Sequence, residues 1–508
     1  MTINLPLITL SGTDNVATTR RAVVRNELLI SGLTAPTDVP RGHKIALKSI
    51  KAGEPIIKYG QVIGYASKEI APGEHVHTQN VEMREIELHH AFSSNFQKTD
   101  FLAEAERATF QGYVRPDGRV GTRNFIAILS SVNCSATVSH AVADHFNRGG
   151  GLDGFDNIDG VVALTHGGGC AINTMAEGYL YLTRVIAGYA RHPNVGGALM
   201  IGLGCETNQI PHILRDYKLE EGDRLRTMTI QDVGGTKKTI ATAIDAIGEM
   251  LEKVNADRRT TVDASHLTVA LECGGSDAYS GMSANPALGH AADLLVRHGG
   301  TAVLSETPEI YGGEHLLTSR ASSPAVAEKL LDRIEWWRRY AESNNAELNN
   351  NPSHGNKVGG LTTILEKSLG AISKSGSTSL NAVYEYGEQI DEHGLVFMDT
   401  PGYDPVAVTG QIAGGCNIVC FTTGRGSTSG YKPAPCLKIA TNTLMYERMV
   451  DDMDINCGEI ITGDDTIEAA GERIFRSILA TASGEPTLSE QQNYGNNEFV
   501  PWQVGAVM

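Results

Sequence analysis

From Phe110 onward the chain alternates between short, nearly unbroken apolar runs and amphipathic stretches. "FIAILSSV" is followed by "ATVSHAVADHFNR", "GVVALTH" by "NTMAEGYLYLTRVIAGYARH", and "GALMIGLG" by "NQIPHILRDY". "LTVALE", "PALGHAADLLVRHGG" and "TAVLSET" continue the theme. Apolar runs without an alternating polar face read as strands buried on both sides, and their alternation with helices predicts a parallel α/β sheet. The polar stretch "NNAELNNNPSHGNKVGG" interrupts this pattern. It resumes with "GLVFMD", "NIVCFTTG" and "CLKIAT" and ends in a helix near residues 466–482. The N-terminal part differs: "GHKIALKSI", "EPIIKYGQVIGYAS" and "GEHVHTQNVEM" are short β-rich runs divided by Gly and Pro turns. The pattern predicts a small β module over 1–85, a partly helical linker over 86–109, an α/β domain over 110–345 and a second α/β domain over 346–508.

A length of 508 residues fits roughly two to four domains. A hydrophobic fraction of 41% is enough for real cores. The net charge of −17 argues against a general nucleic-acid binder, which would show a basic face. It still allows a local basic pocket for an anionic ligand. The N-terminus lacks a basic segment followed by an apolar one, and no uncharged apolar run reaches the roughly 18 residues of a membrane span. A cytoplasmic protein without a membrane partner is expected. The eight cysteines are too sparse for a disulfide framework and read as thiols, ligands or core fillers.

Four cysteines follow predicted strands directly: Cys134 after "FIAILSSVN", Cys170 after "GVVALTHGGG", Cys205 after "GALMIGLG" and Cys273 after "LTVALE". Open α/β sheets bind ligands outside the carboxyl ends of their strands, so these thiols are candidates for one shared metal site. Taken singly, each would be an ordinary small core residue. "THGGGC" lacks the Lys and Ser/Thr of a phosphate loop, the G-x-G-x-x-G of a dinucleotide site and the C-x-x-C of a redox pair. A metal or anion site remains, against the alternative of a glycine turn with a surface His166.

Polar clusters border other strands. "GRVGTRN" supplies Arg123, a candidate carboxylate clamp, and Asn124. "NPSHGNK" supplies Lys357, and "FTTGRGSTSG" supplies Arg425 between glycines after an apolar strand. "RGHK" sets His43 and Lys44 at a turn. "GEHVH" sets His75 and His77 on one strand face, where they either share a metal or form a polar surface.

The ordered set "GHKIAL", "GEHVH", "DGRVGTRN", "THGGGC", "GLGCETNQ", "LECGGSDAYSGMSANPALG", "NPSHGNKVGG" and "FTTGRGS" resembles the altronate/galactarate dehydratase family over almost the whole chain. "GEHVH" and "DTPGYDPVAVTGQIAGGC" look closer to its altronate branch. The resemblance implies an N-terminal SAF module of β-clip type, followed by a larger, Rossmann-like α/β catalytic region in two parts. It also implies dehydration of a sugar acid to a 2-keto-3-deoxy acid, with dependence on iron. An altronate-type aldonate is the expected substrate, with galactarate, or sulfite elimination from sulfolactate, as alternatives. "NPSHGNK" departs from the family pattern by placing His354 where a proline is usual.

The chemistry requires removal of a weakly acidic C2 proton and loss of the 3-hydroxyl, so an electrophile must stabilise the enediolate. The expected assignment gives the iron, as Fe2+ or an iron–sulfur cluster, to Cys134, Cys170, Cys205 and Cys273. Another divalent metal on His and carboxylate ligands is the alternative. His43 and His166 are the expected acid/base residues. Lys44, Arg123, Asn124, Lys357 and Arg425 are the expected substrate contacts. A homo-oligomer, a dimer, is expected.

Overall fold

The computed structural model describes residues 6–30, 32–85 and 88–505. Its N-terminal module is built from short strands. Val16–Thr19 pairs antiparallel with Lys44–Ala46, which pairs in turn with His75–Val76. A second small sheet carries the hairpin of Pro55–Lys58 and Gln61–Ala66. Two compact apolar clusters, one around Val23, Leu29 and Ile45 and one around Ile56, Ile63 and Ile70, fill it. The stretch taken as a partly helical linker contains one short 3-10 turn, Glu104–Glu106, and little other regular structure; 86 and 87 lie outside the described residues.

Two parallel sheets follow. The first has the order Gly160–Leu164, Phe125–Ser130, Val195–Gly202, Leu225–Thr229. Its first three strands are buried along their whole length, as unbroken apolar runs require. The helix Ala136–Arg148 covers one face with Val138, Val142 and Phe146, spaced for a single helical stripe.

The second sheet has seven parallel strands in the order Leu380–Tyr384, Gly394–Met398, Thr301–Leu304, Thr268–Cys273, Ile418–Thr423, Cys436–Ala440, Ile455–Asn456. This corrects the domain division drawn from the sequence. Strands before and after the polar stretch at 345 belong to one sheet, so that stretch is a loop within a domain. The boundary between the α/β parts lies instead near Arg259–Asp263, which pairs antiparallel with Thr109–Val114.

The two α/β parts share a core. Tyr181 of the first packs against Tyr386 and Trp502, and Trp337 stacks on Trp502 with ring centroids 5.2 Å apart. The helices Glu177–Ala190 and Asp404–Gly414 approach so closely that a Cβ on Gly188 would lie 2.3 Å from the carbonyl oxygen of Ala413. Among the described residues, no helix is long and apolar enough to cross a membrane.

Candidate active site

In the seven-stranded sheet the strand order reverses between Thr268–Cys273 and Ile418–Thr423. Such a switch point opens a crevice at the strands' carboxyl ends. The loops after these two strands meet there: the backbone N–H groups of Gly424 and Arg425 both donate to the carbonyl of Gly275, at 3.1 and 2.9 Å. Asp277 is buried beneath them. It accepts bonds from Ser280, Thr441 and Asn442 and from the backbone of Tyr279, while burial draws its carboxyl above the usual range. A Cβ on Gly424 would strike that carboxyl at 2.2 Å, so only glycine fits.

The N-terminal module closes the other side. His43 Nε2 lies 3.1 Å from the carbonyl of Val358, and Tyr279 Oη donates to the carbonyl of Thr19 at 2.6 Å. Beneath, a fully buried ion triplet ties the module down. Lys44 Nζ and Lys58 Nζ reach the two oxygens of Glu366 at 2.7 and 2.9 Å, and Lys44 also donates to the carbonyl of Gly360 at 2.7 Å. Burial alone would raise the Glu366 carboxyl, but the two ammonium groups overcome it and hold the carboxyl far below its ordinary value. Burial lowers Lys44 to about 8.

Between these walls lies a cavity of about 220 Å³ lined by Arg41, Tyr279, Val358, Gly424, Arg425, Asn442 and Arg448. Among the described residues, none of the three arginines has a carboxylate partner. The only carboxylate in the wall, Asp277, is committed to its own hydrogen bonds. Three unpaired guanidinium groups on one small cavity of an acidic protein are suited to receive an anion. Arg425→Ala should cost on the order of 2–4 kcal/mol of transition-state binding, and Arg425→Lys a large share of it because the planar fork is lost. Steady-state kinetics of both variants check this.

Next to the cavity stands a histidine triad. His43, His75 and His77 each place a ring nitrogen so that all three lie within 4.8 Å of one another. His43 Nδ1 is 3.0 Å from His75 Nε2, and His77 Nδ1 is buried with no hydrogen-bond partner. Burial lowers His75 to about 4 and His77 to about 3, with neighbouring positive charge adding to the effect. The rings are therefore neutral at physiological pH, with lone pairs available. The bond from His43 Nε2–H to Val358 leaves Nδ1 as the ligating atom, the usual arrangement around a metal-bound imidazole. This donor set fits a divalent ion of borderline softness.

Several sequence expectations are corrected here. All five N–H donors of Arg123 are taken, by both Glu490 oxygens and by the carbonyls of Thr122, Thr481 and Glu485, so it has none left for a substrate. Asn124 is buried and ties Asn157 to Val254. Lys44 is locked in the ion triplet. His166 is buried, with Nε2 against the carbonyl of Ser130 and Nδ1 receiving the N–H of Gly168; burial lowers it to about 4. It shapes the glycine loop and is not among the residues lining the arginine cavity.

Cys273 belongs to the seven-stranded sheet and is buried against Glu306 and Glu309, at 4.0 and 3.7 Å, so it does not join the other three thiols. Lys367 and Lys374 already supply the positive charge beside those carboxylates. Arg425 is exposed on the cavity, and Lys357 is half-buried on the short helix His354–Val358 with no side-chain hydrogen bond among the described residues. Replacing Arg123 by Lys should lower stability by about 2–4 kcal/mol while leaving KM unchanged, since only a buried pair is weakened. Urea titration and kinetics together check this.

Residues 5–84 match the altronate/galactarate dehydratase SAF domain, 112–255 the D-galactarate dehydratase/altronate hydrolase second domain, and 264–507 the D-galactarate/altronate dehydratase C-terminal domain. The chain is 34% identical to altronate dehydratase of Bacillus subtilis over 490 residues, covering 95% of this chain and 96% of that protein. This chain belongs to the altronate/galactarate dehydratase family. Another member, galactarate dehydratase (L-threo-forming) of Escherichia coli, is 38% identical over 497 residues, covering 95% of this chain and 94% of that one. The beta subunit of (2R)-sulfolactate sulfo-lyase of Chromohalobacter salexigens is 32% identical over 404 residues, or 78% of this chain and 98% of that subunit. As a family dehydratase, the protein is a carbon–oxygen lyase. The SAF module of the family is the one that brings His43 and Arg41 to the crevice.

Proposed function

We propose that the enzyme dehydrates a sugar acid, an altronate-type aldonate, to a 2-keto-3-deoxy acid in the crevice between the SAF module and the seven-stranded sheet. The observation that carries this reading is the trio of unpaired arginines beside neutral imidazoles. Arg41, Arg425 and Arg448 take the substrate carboxylate and fix C2 toward the triad. The C2–H and C3–O bonds break, a C2–C3 double bond forms, and the departing hydroxide takes up a proton to leave as water. The resulting enol takes a proton at C3 and becomes the ketone. His43 Nδ1 is a basic atom the crevice offers for the C2 proton, since burial holds that imidazole neutral.

In the alternative role the same three nitrogens would hold iron(II), which would supply Lewis-acid stabilisation of the enediolate; their lone pairs are then committed to the metal and His43 is not the base. This moves the proposed mononuclear centre from the strand-end thiols to the histidines. The asymmetry of the crevice supports an aldonate, which has one carboxylate for the arginine wall; an aldarate such as galactarate is the second reading, favoured by the 38% identity to a galactarate dehydratase. Sugar acids with one and with two carboxylates, assayed for 2-keto acid on iron-loaded enzyme, separate the two.

A further inference from the structure

Of the eight cysteines, Cys134, Cys170 and Cys205 are exposed and the other five are buried. Cysteine is among the residues most often buried, so three exposed thiols in one region need a reason. They follow three adjacent strands of the four-stranded sheet, Phe125–Ser130, Gly160–Leu164 and Val195–Gly202. The first of these strands in sequence lies between the second and the third, so this sheet too has a switch point at its carboxyl edge, where ligands bind. None of these thiols belongs to the crevice described above.

The loops that carry them are knitted together. Asn133 N–H donates to the carbonyl of Gly168 and Asn208 N–H to that of Gly169, both at 3.0 Å. Asn133 Nδ2 donates to the carbonyl of His166, and Asn208 Nδ2 to that of Ser131. A Cβ on Gly169 would lie 2.3 Å from the carbonyl oxygen of Ser131, so the cysteine loop is pressed against the neighbouring one. Gln231 Nε2 donates to Cys205 Sγ at 3.4 Å. Cys134 and Cys170 line one cavity of about 340 Å³ whose other walls include Ile172, Leu182, Trp502 and Val504. The three sulfur atoms do not come within 4.8 Å of one another, as the nitrogens of the histidine triad do. A single ion needs its three ligand atoms that close, whereas a polynuclear centre does not.

We propose that Cys134, Cys170 and Cys205 are the protein ligands of an iron–sulfur cluster at this switch point, a site distinct from the crevice. Thiolates are the ordinary ligands of such clusters, and apolar walls with N–H groups directed at sulfur are what tune them. Each thiol releases its proton to solvent on binding. The proposal is independent of the dehydration reading and is tested without turnover.

The full chain is purified anaerobically, reconstituted with ferrous iron and sulfide, and analysed for iron, acid-labile sulfide, visible absorbance and electron paramagnetic resonance. The wild-type chain should hold iron and labile sulfide together. Cys134→Ser, Cys170→Ser and Cys205→Ser should each lose the labile sulfide, whereas Cys273→Ser and His77→Ala should keep it. In parallel, iodoacetamide mapping should find the three thiols protected in the reconstituted chain and alkylated after the cluster is stripped by chelator. Iron without labile sulfide, sulfide retained in all three variants, or thiols equally reactive in both states would overturn the proposal. The mapping uses the unmutated chain and holds even where a variant folds poorly.

Discussion

Replacing His77 by alanine should lower kcat by more than about 100-fold while the protein stays folded. His77 Nδ1 is buried with no protein partner, and one ring nitrogen of His77 lies within 4.8 Å of ring nitrogens of two other neutral imidazoles. Removing it takes away one of three nitrogens and loosens the geometry of the other two. Metal analysis of the same variant separates the two roles proposed for the triad. Loss of tightly bound iron(II) together with activity assigns the imidazoles to the metal. Full iron with lost activity assigns them to proton transfer. A variant with wild-type kcat would remove the triad from the site.

Glu366→Gln should destabilise the enzyme by about 3–5 kcal/mol and release the SAF module, because it leaves two buried ammonium groups without their carboxylate. Both lysines come from the module and the glutamate from the C-terminal domain, so the loss falls on their junction. The expected signs are a lower urea midpoint and early proteolytic cleavage near residue 85. Activity should fall with docking, because Arg41 and His43 leave the crevice with the module. An unchanged midpoint would show that the triplet adds nothing over neutral hydrogen bonds.

The strands and helices of the α/β region were legible because buried parallel strands leave unbroken apolar runs and their covering helices leave an amphipathic stripe. The location of a site at the strand ends was legible for the same reason, and Arg425 was found through its flanking glycines. What escaped was pairing over long separations. Arg123 resembles a free clamp until Glu490 closes on it from 367 residues away. Lys44 resembles a substrate contact until Glu366 meets it from 322 residues away. Arg41 went unnoticed although it opens "RGHK", because His43 and Lys44 are the residues that motif brings forward, and Arg448 has no motif around it; only the fold brings the two to Arg425. The pair His75 and His77 carried a usable signal in its i, i+2 spacing, but the third nitrogen, from His43, comes from the residue just before another strand of the module, Lys44–Ala46. The four thiols looked equivalent because each ends a strand, and sequence does not say which strands share a sheet.

The central claim is that the arginine-lined crevice converts a sugar acid into its 2-keto-3-deoxy product. The most direct test incubates the anaerobic, iron(II)-loaded enzyme in D2O with a panel of aldonates and aldarates and follows product by NMR. At least one panel member should yield a 2-keto-3-deoxy acid carrying deuterium at C3, and the Arg425→Ala variant should form little product from the same substrate. Failure of the iron-loaded wild-type enzyme to form a 2-keto acid from any member, or full product formation by Arg425→Ala, would contradict it.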